Sequence, residues 1–274
     1  MKHYPGSGKV IFAGAGPGDP ELLTLKAFRY LKRAEVVITD RLVSDTVLDE
    51  FVNKAALILH AGKQAGKAES TPQSLINELM VEYALQGKLV VRLKGGDISI
   101  FSNILEELRY LTEKRIAYEI IPGITAASGA AAYAGIPLTA RNYANAVRFL
   151  TYYKEDMLVD TYWKDLAKTD DTLVFYMSSG KVDDLVGKLI GQEIGKDRFI
   201  SIIEQATTPM QHVYSCNLYD YATNAGGQEF ASPTLIIVGK VAALQPELQW
   251  IVNSRNEKNY FKPLGKKIQQ EARA

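Results

Sequence analysis

Val10-Ile11-Phe12-Ala13-Gly14-Ala15-Gly16-Pro17-Gly18-Asp19-Pro20-Glu21-Leu22-Leu23-Thr24-Leu25-Lys26-Ala27 is the stretch whose reading decides the fold. Its apolar start has the length of a buried strand, which passes into a glycine-rich turn and then a helix. Asp19 is expected to cap that helix, with Pro20 at its first position, where a missing N–H does no harm. Leu22, Leu25, Phe28 and Leu31 would then share one face. A strand, a glycine turn and a helix in this order imply an α/β domain that binds ligands above its strand ends. The spacing excludes a dinucleotide fingerprint. After Gly14 and Gly16 the third glycine of G-x-G-x-x-G falls on residue 19, which is Asp, and Pro17 lacks an N–H. An acidic helix start also repels phosphate. The turn suits a ligand without phosphates.

Outward from this stretch, strands alternate with helices. Glu35–Thr39, Ala56–Leu59, Lys88–Leu93 and Tyr118–Ile121 read as strands, and the third runs directly into Lys94-Gly95-Gly96-Asp97. Thr71-Pro72 is expected to cap a helix reaching about Gln86. Residues 123–135 are nearly all small, a helix that lets a backbone or a flat ligand come close, and Pro137 ends it. The pattern restarts at Ala146, where four strands around Val147, Val174, Ile202 and Ile236, with a hairpin partner at His212–Ser215, predict a smaller mixed sheet. The expected domains are residues 1–143 and 144–245, followed by a polar tail, 246–274, that frays toward its end.

Composition bounds the function. The 274 residues suffice for two domains, and a formal net charge of +1 argues against a generally basic nucleic-acid binder. A single cysteine, Cys216, excludes an internal disulfide, fits a reducing compartment and reads as a buried thiol. Met1 to Lys9 has no apolar signal core, and no apolar run is long enough for a membrane span, so the cytoplasm is expected. His3, His60 and His212 lack ligand spacing, and no metal site is expected. Polar groups at strand ends remain: Asp40, Lys63 and Asp97, beside Gly95-Gly96.

Five segments together resemble the tetrapyrrole (precorrin) methylases. They are Gly14-Ala-Gly-Pro-Gly-Asp-Pro-Glu-Leu-Leu-Thr-Leu-Lys-Ala27, Asp40-Arg-Leu-Val-Ser44, Val91-Arg-Leu-Lys-Gly-Gly-Asp97, Pro122-Gly-Ile-Thr-Ala126 and Ala130-Ala-Ala-Tyr-Ala-Gly-Ile-Pro-Leu-Thr139. The likeness continues through Asp171-Thr-Leu-Val-Phe-Tyr-Met177 and Thr207-Thr-Pro, and covers residues 8 to 245. It is strongest to the branch that methylates uroporphyrinogen III.

That resemblance implies a class III methyltransferase fold of two α/β domains with the active-site cleft between them, and a homodimer. It implies methyl transfer from S-adenosyl-methionine to uroporphyrinogen III, giving precorrin-2 for sirohaem and cobalamin, with no metal, nucleic-acid or membrane partner. By motif, Pro17, Gly95, Gly96, Asp97, Ile100, Thr125, Ala126, Met177 and Ala206 would line the cofactor pocket. Asp40 matches the proton acceptor and Lys63 the proton donor. Arg41, Lys67 and Arg141, with Arg148, are candidates to meet the substrate's carboxylates. The chain departs from the pattern at residues 98–107, at Thr39, at Ala140, at Tyr152-Tyr153 and at Ala206, which stands where the family often has glycine. The first of these leaves open another acceptor, or a protein that only senses the cofactor.

Overall fold

The structure is a computed structural model that describes residues 6–61, 71–155, 157–256, 258–261 and 270–271. The chain divides into two compact units, Met1–Thr125 with Phe261–Ala274, and Ala126–Tyr260. This division falls ahead of the 143/144 junction expected from sequence. The small-residue helix is therefore part of the second unit.

In the first unit β1 (Lys9–Gly14), α1 (Leu25–Leu31), β2 (Val36–Thr39), α2 (Asp45–Phe51), β3 (Leu57–His60), α3 (Gln73–Leu85), β4 (Leu89–Lys94), α4 (Ile104–Glu113) and β5 (Ala117–Ile121) alternate. The five strands are parallel in the order β3-β2-β4-β1-β5. Both faces are covered, as a parallel sheet requires. Ile11, Ala13, Val37, Val91 and Leu93 pack on one side with Ala27, Leu31, Val47 and Leu48 of α1 and α2. Val10, Phe12, Val36, Ile38 and Val90 pack on the other with Ile76 and Met80 of α3 and Leu111 of α4.

The helix starts differ from expectation. Asp19 accepts from Glu21 N at 2.8 Å and caps only a 3-10 turn, Pro20–Leu22; the α-helix begins at Leu25 with Thr24 as its cap. A turn inserted between strand and helix rotates the helix start, and Leu25 is 74% exposed rather than facing the core. Pro72, in extended geometry, is itself the residue before α3, and no side chain caps that helix.

The second unit holds α5 (Ala126–Ala134), β6 (Val147–Thr151), α6 (Asp160–Lys168), β7 (Thr172–Tyr176), α7 (Val182–Gly191), β8 (Phe199–Glu204), β9 (His212–Asn217), α8 (Tyr221–Asn224), β10 (Thr234–Gly239) and α9 (Gln245–Leu248). Its sheet, ordered β6-β7-β10-β8-β9, is mixed: β6 and β7 are parallel and the other pairs antiparallel. Trp163, Leu166, Leu185 and Leu189 of α6 and α7 cover one face over Phe175, Ile202 and Ile236.

The first part of the tail is tied down despite its polarity, while most of the stretch expected to fray, residues 262–269 and 272–274, lies outside the described residues. Trp250 Nε1 donates to Ala132 O at 2.8 Å and its ring lies edge-on to Tyr133. Asn253 accepts from Val213 N at 2.9 Å and returns a bond to Val213 O, so buried and edge backbone groups hold the chain down. Further on, β11 (Gln270–Glu271) pairs antiparallel with β3 in the first unit.

Candidate functional site

At the carboxyl ends of β1, β4 and β5 three glycines make one corner. A Cβ on Gly14 would lie 2.5 Å from Gly96 O and 2.7 Å from Gly123 Cα; one on Gly123 would lie 2.3 Å from Gly96 O. Backbones can approach this closely only without side chains, which explains the residue type at each position. Gly16 and Gly96 then pair across the turn, Gly96 N donating to Gly16 O at 2.7 Å and Gly16 N to Gly96 O at 3.2 Å. A side chain on Gly95 would meet Leu42 Cβ at 2.7 Å, packing this loop against the one that follows β2.

Asp97 fastens the corner. One carboxylate oxygen accepts from Gly123 N at 2.8 Å, the other from Ser99 N at 2.7 Å and from the Ser99 hydroxyl. Burial alone would raise this carboxyl. The bonds from the Ser99 side chain and from the Ser99, Gly123 and Ile98 amides outweigh burial and hold it below the ordinary carboxylate range. Gly123, of the Pro122–Ala126 motif, is thus brought beside Gly96 and Asp97, and Pro17 follows Gly16 directly.

Asp40 ends β2. Its carboxylate accepts from Leu42 N at 2.9 Å and from Gly95 N at 3.3 to 3.4 Å, so it stands at the same sheet end. Arg41 is half-buried; burial draws its guanidinium below its ordinary value and the neighbouring Asp40 charge opposes that. Ile100 is half-buried in the loop after Asp97. In that loop Phe101 and Asn103 take φ of 52° and 54°, and the Ser102 hydroxyl donates to Ile98 O. Lys63 and Lys67 lie outside the described residues.

In the second unit, Ala126 begins α5, and Ala127 N donates to the Tyr176 hydroxyl at 3.0 Å. Met177 follows β7 with φ of 56° and is half exposed. Ala206 is buried between Gln205 (φ 46°) and Thr207 (φ 64°). The left-handed backbone that would demand glycine falls on its neighbours, so alanine is tolerated there. Thr207 N donates to Gln211 Oε1 at 2.8 Å and Gln205 N to Pro233 O at 2.8 Å, fixing that loop. Arg141 is exposed. Arg148 is committed elsewhere: its guanidinium binds Asp165, Asp171 at 2.6 Å and Thr169 at 3.2 Å.

Sequence reasoning overlooked one cluster. Arg92 and Lys94, two residues apart on one face of β4, both reach Glu107 of α4, at 3.2 and 3.4 Å. All three are buried. Two cations inside an otherwise apolar strand were the available signal. Among the described residues no group of His, Cys, Asp or Glu could hold a metal ion, and no helix is long and apolar enough to cross a membrane.

Comparison with known proteins follows the same lines. The model of the Tetrapyrrole (Corrin/Porphyrin) Methylases matches residues 9–222. The uroporphyrin-III-C-methyltransferase of Thermus thermophilus is similar in structure with a TM-score of 0.72 and 33% identity, covering 88% of this chain and 96% of that one. A second structure of that enzyme, complexed with S-adenyl homocysteine, gives 0.72 at 32% identity, over 86% of this chain and 100% of that one. A sirohaem synthase of Vesicomyosocius okutanii is 42% identical over 243 residues, 89% of this chain and 52% of the relative. The chain spans about half the length of the curated relatives it matches. With its glycine corner, its two sheets and a family match across most of its length, the chain belongs to the tetrapyrrole methylases.

Proposed function

We propose that this chain transfers methyl groups from S-adenosyl-methionine to pyrrole carbons of uroporphyrinogen III, giving precorrin-2 by way of precorrin-1 on the route to sirohaem or cobalamin. The observation that carries the reading is the corner at the strand ends. There, family motifs distant in sequence (Gly14–Gly16, Asp40, Gly95–Asp97 and Gly123) touch one another. Its donor set fits the cofactor. Carboxylates and backbone groups suit a sulfonium amino acid with ribose hydroxyls, and the same carboxylates, with a proline in the turn, disfavour phosphate.

S-adenosyl-methionine supplies an activated methyl, so the protein's task is alignment and charge management. Pro17, Gly95, Gly96, Asp97, Ile100 and Thr125 of the first unit hold the cofactor, and the resemblance assigns Ala126, Met177 and Ala206 of the second to the same ligand. Methylation leaves the attacked ring carbon quaternary and the ring iminium-like and positively charged; Asp40 faces that charge and accepts the proton the macrocycle loses as the charge collapses. Lys63 donates a proton to the macrocycle. Arg41, Lys67 and Arg141 meet the eight carboxylates of the substrate, with arginine able to bind each in bidentate fashion. The active form is a homodimer in the cytoplasm.

The test is anaerobic incubation with uroporphyrinogen III and S-adenosyl-methionine, followed by absorbance, beside calorimetric titration with S-adenosyl-homocysteine. Precorrin-2 formation is expected. A folded chain that binds the product nucleoside yet methylates nothing overturns the proposal.

One observation favours a second reading, the same chemistry on another acceptor. The loop after Asp97 closes on itself through Ser99 and Ser102, and Ser102, Asn103, Ile104 and Leu105 (Leu105 58% exposed) stand where the resembling family has Gly-Arg-Gly-Gly. Radiolabelled methyl transfer to other precorrins and to cell fractions separates the two.

A further inference from the structure

The cluster behind β4 is short of one negative charge. Arg92 Nε donates to Glu107 Oε1 at 3.2 Å and Arg92 also binds Ile38 O at 3.2 Å; the Lys94 ammonium lies 3.4 to 3.5 Å from both Glu107 oxygens. Gln73 Nε2 adds a further bond to Glu107, at 3.2 Å. The side chains of Arg92, Lys94 and Glu107 are 4, 8 and 0% exposed. Two buried cations sharing one carboxylate leave a charge that the interior disfavours unless another anion answers it.

The sheet register supplies that anion. Thr39 pairs with Leu93 across β2 and β4, so the next residues along, Asp40 and Lys94, stand abreast. The amide that follows Lys94, Gly95 N, donates to the Asp40 carboxylate. We propose that Lys94 is a positioning residue for Asp40: held by Glu107, its ammonium supplies the counter-charge that fixes the Asp40 carboxylate at the end of β2, where it takes up the substrate proton. Burial pulls the ammonium below its ordinary value, as does Arg92, while Glu107 and Asp40 oppose that. Arg41, on Asp40's own loop, also meets the Asp40 charge.

The inference rests on the reading of Asp40 as proton acceptor, and its test separates the two. Lys94→Met is expected to lower kcat about tenfold or more while the KM for S-adenosyl-methionine changes less than about threefold. Lys94→Arg restores most of the rate. In an Asp40→Asn background, Lys94→Met causes no further loss, because the group it positions is gone. Lys94→Gln, which keeps a donor for Glu107 without the charge, repeats the measurement should the methionine variant fold poorly. An unchanged kcat in a folded Lys94→Gln protein, or losses that multiply in the double variant, overturns the proposal. If the unaltered chain methylates no tetrapyrrole, the same cycle is read by urea unfolding, which needs no substrate. The unfolding equilibrium constants of the single variants then fail to multiply if Lys94 and Asp40 are coupled, and multiply within about twofold if they are not.

Discussion

Gly123→Ala is the sharpest perturbation of the glycine corner. The added Cβ would sit 2.3 Å from Gly96 O, more than 1 Å inside the 3.4 Å at which ordinary contact begins, and 2.8 Å from Gly14 Cα. Both neighbours are backbone, so no rotamer change relieves the clash. Either β5 moves away from β1, or the Gly96 loop lifts and strains the Gly16–Gly96 pair together with the 2.8 Å bond from Gly123 N to Asp97. Overpacking costs about 1–3 kcal/mol, and each strained buried bond adds about 1 kcal/mol, giving roughly 2–4 kcal/mol in all. At about 2–4 °C per kcal/mol that is a fall in Tm of about 5–15 °C. Affinity for S-adenosyl-homocysteine should drop by at least about tenfold, since the loop that moves is the one proposed to hold it.

Scanning calorimetry and a homocysteine-nucleoside titration on the same preparation give both numbers. Gly187→Ala is the matched control. It lies exposed within α7 with nothing within 4 Å of the new methyl, and should stabilise by about 0.5–1 kcal/mol through helix propensity. If Gly123→Ala melts with the unaltered protein and binds the nucleoside within about twofold, the corner is not what shapes this site.

Three further outcomes follow from individual groups. Asp97→Asn turns a triple acceptor partly into a donor facing the Gly123 N–H; it should lose about 1–3 kcal/mol by urea unfolding at pH 7. Because the Asp97 carboxyl is held below its ordinary value in the fold, its contribution is complete above about pH 4 and fades as pH falls further, so the variant's deficit should shrink in acid. Glu119 is drawn down to about 2 by hydrogen bonds from Lys26, Lys9 and Tyr30; solvent screening limits Glu119→Gln to under about 1 kcal/mol, present at neutral pH and vanishing below about pH 4 in acid titrations of stability. Burial, aided by Asp220, raises the Cys216 thiol, which should react with a disulfide reagent at pH 7 more slowly than a free cysteine under the same conditions.

How much of this was legible in the sequence depended on where the physics is local. The β/α alternation and both sheets could be read because Val, Ile and Leu runs between turn residues leave few other ways to bury themselves. The Gly14–Asp19 turn argued against a dinucleotide fingerprint by spacing and chemistry alone. Helix starts were less legible, since Asp19 and Thr24 can both cap, and only the inserted 3-10 turn decides for Thr24. The order at residues 250–253 could not be read, because Trp250 and Asn253 find their partners in Ala132 and Val213, 118 and 40 residues earlier respectively. The buried Arg92–Glu107–Lys94 cluster was hidden for a related reason. Periodicity reports which face a residue takes, and says nothing of the counter-charge waiting on another element.

The departures from the family pattern do not all bear on the acceptor, and Tyr152 shows how to tell them apart. Its side chain is 1% exposed, edge-on to Trp163 with centroids 5.0 Å apart, its hydroxyl on Asp184 and its N–H on Ser178 Oγ at 3.1 Å. The resembling family has Gly-His where Tyr152-Tyr153 stand, and Tyr152→Gly should therefore destabilise by about 3–5 kcal/mol, the cost of emptying a large aromatic from a packed core. Tyr153→His, at a position 57% exposed, should change stability by less than about 0.5 kcal/mol. Urea unfolding of both variants decides it. A Tyr152→Gly protein as stable as the parent would mean that the second unit's core does not depend on this residue, and that the substitution must be explained by ligand instead. Should the expected loss appear, the change at 152 belongs to packing, and an altered acceptor surface has to be sought in the 98–107 loop and at Thr39, Ala140 and Tyr153.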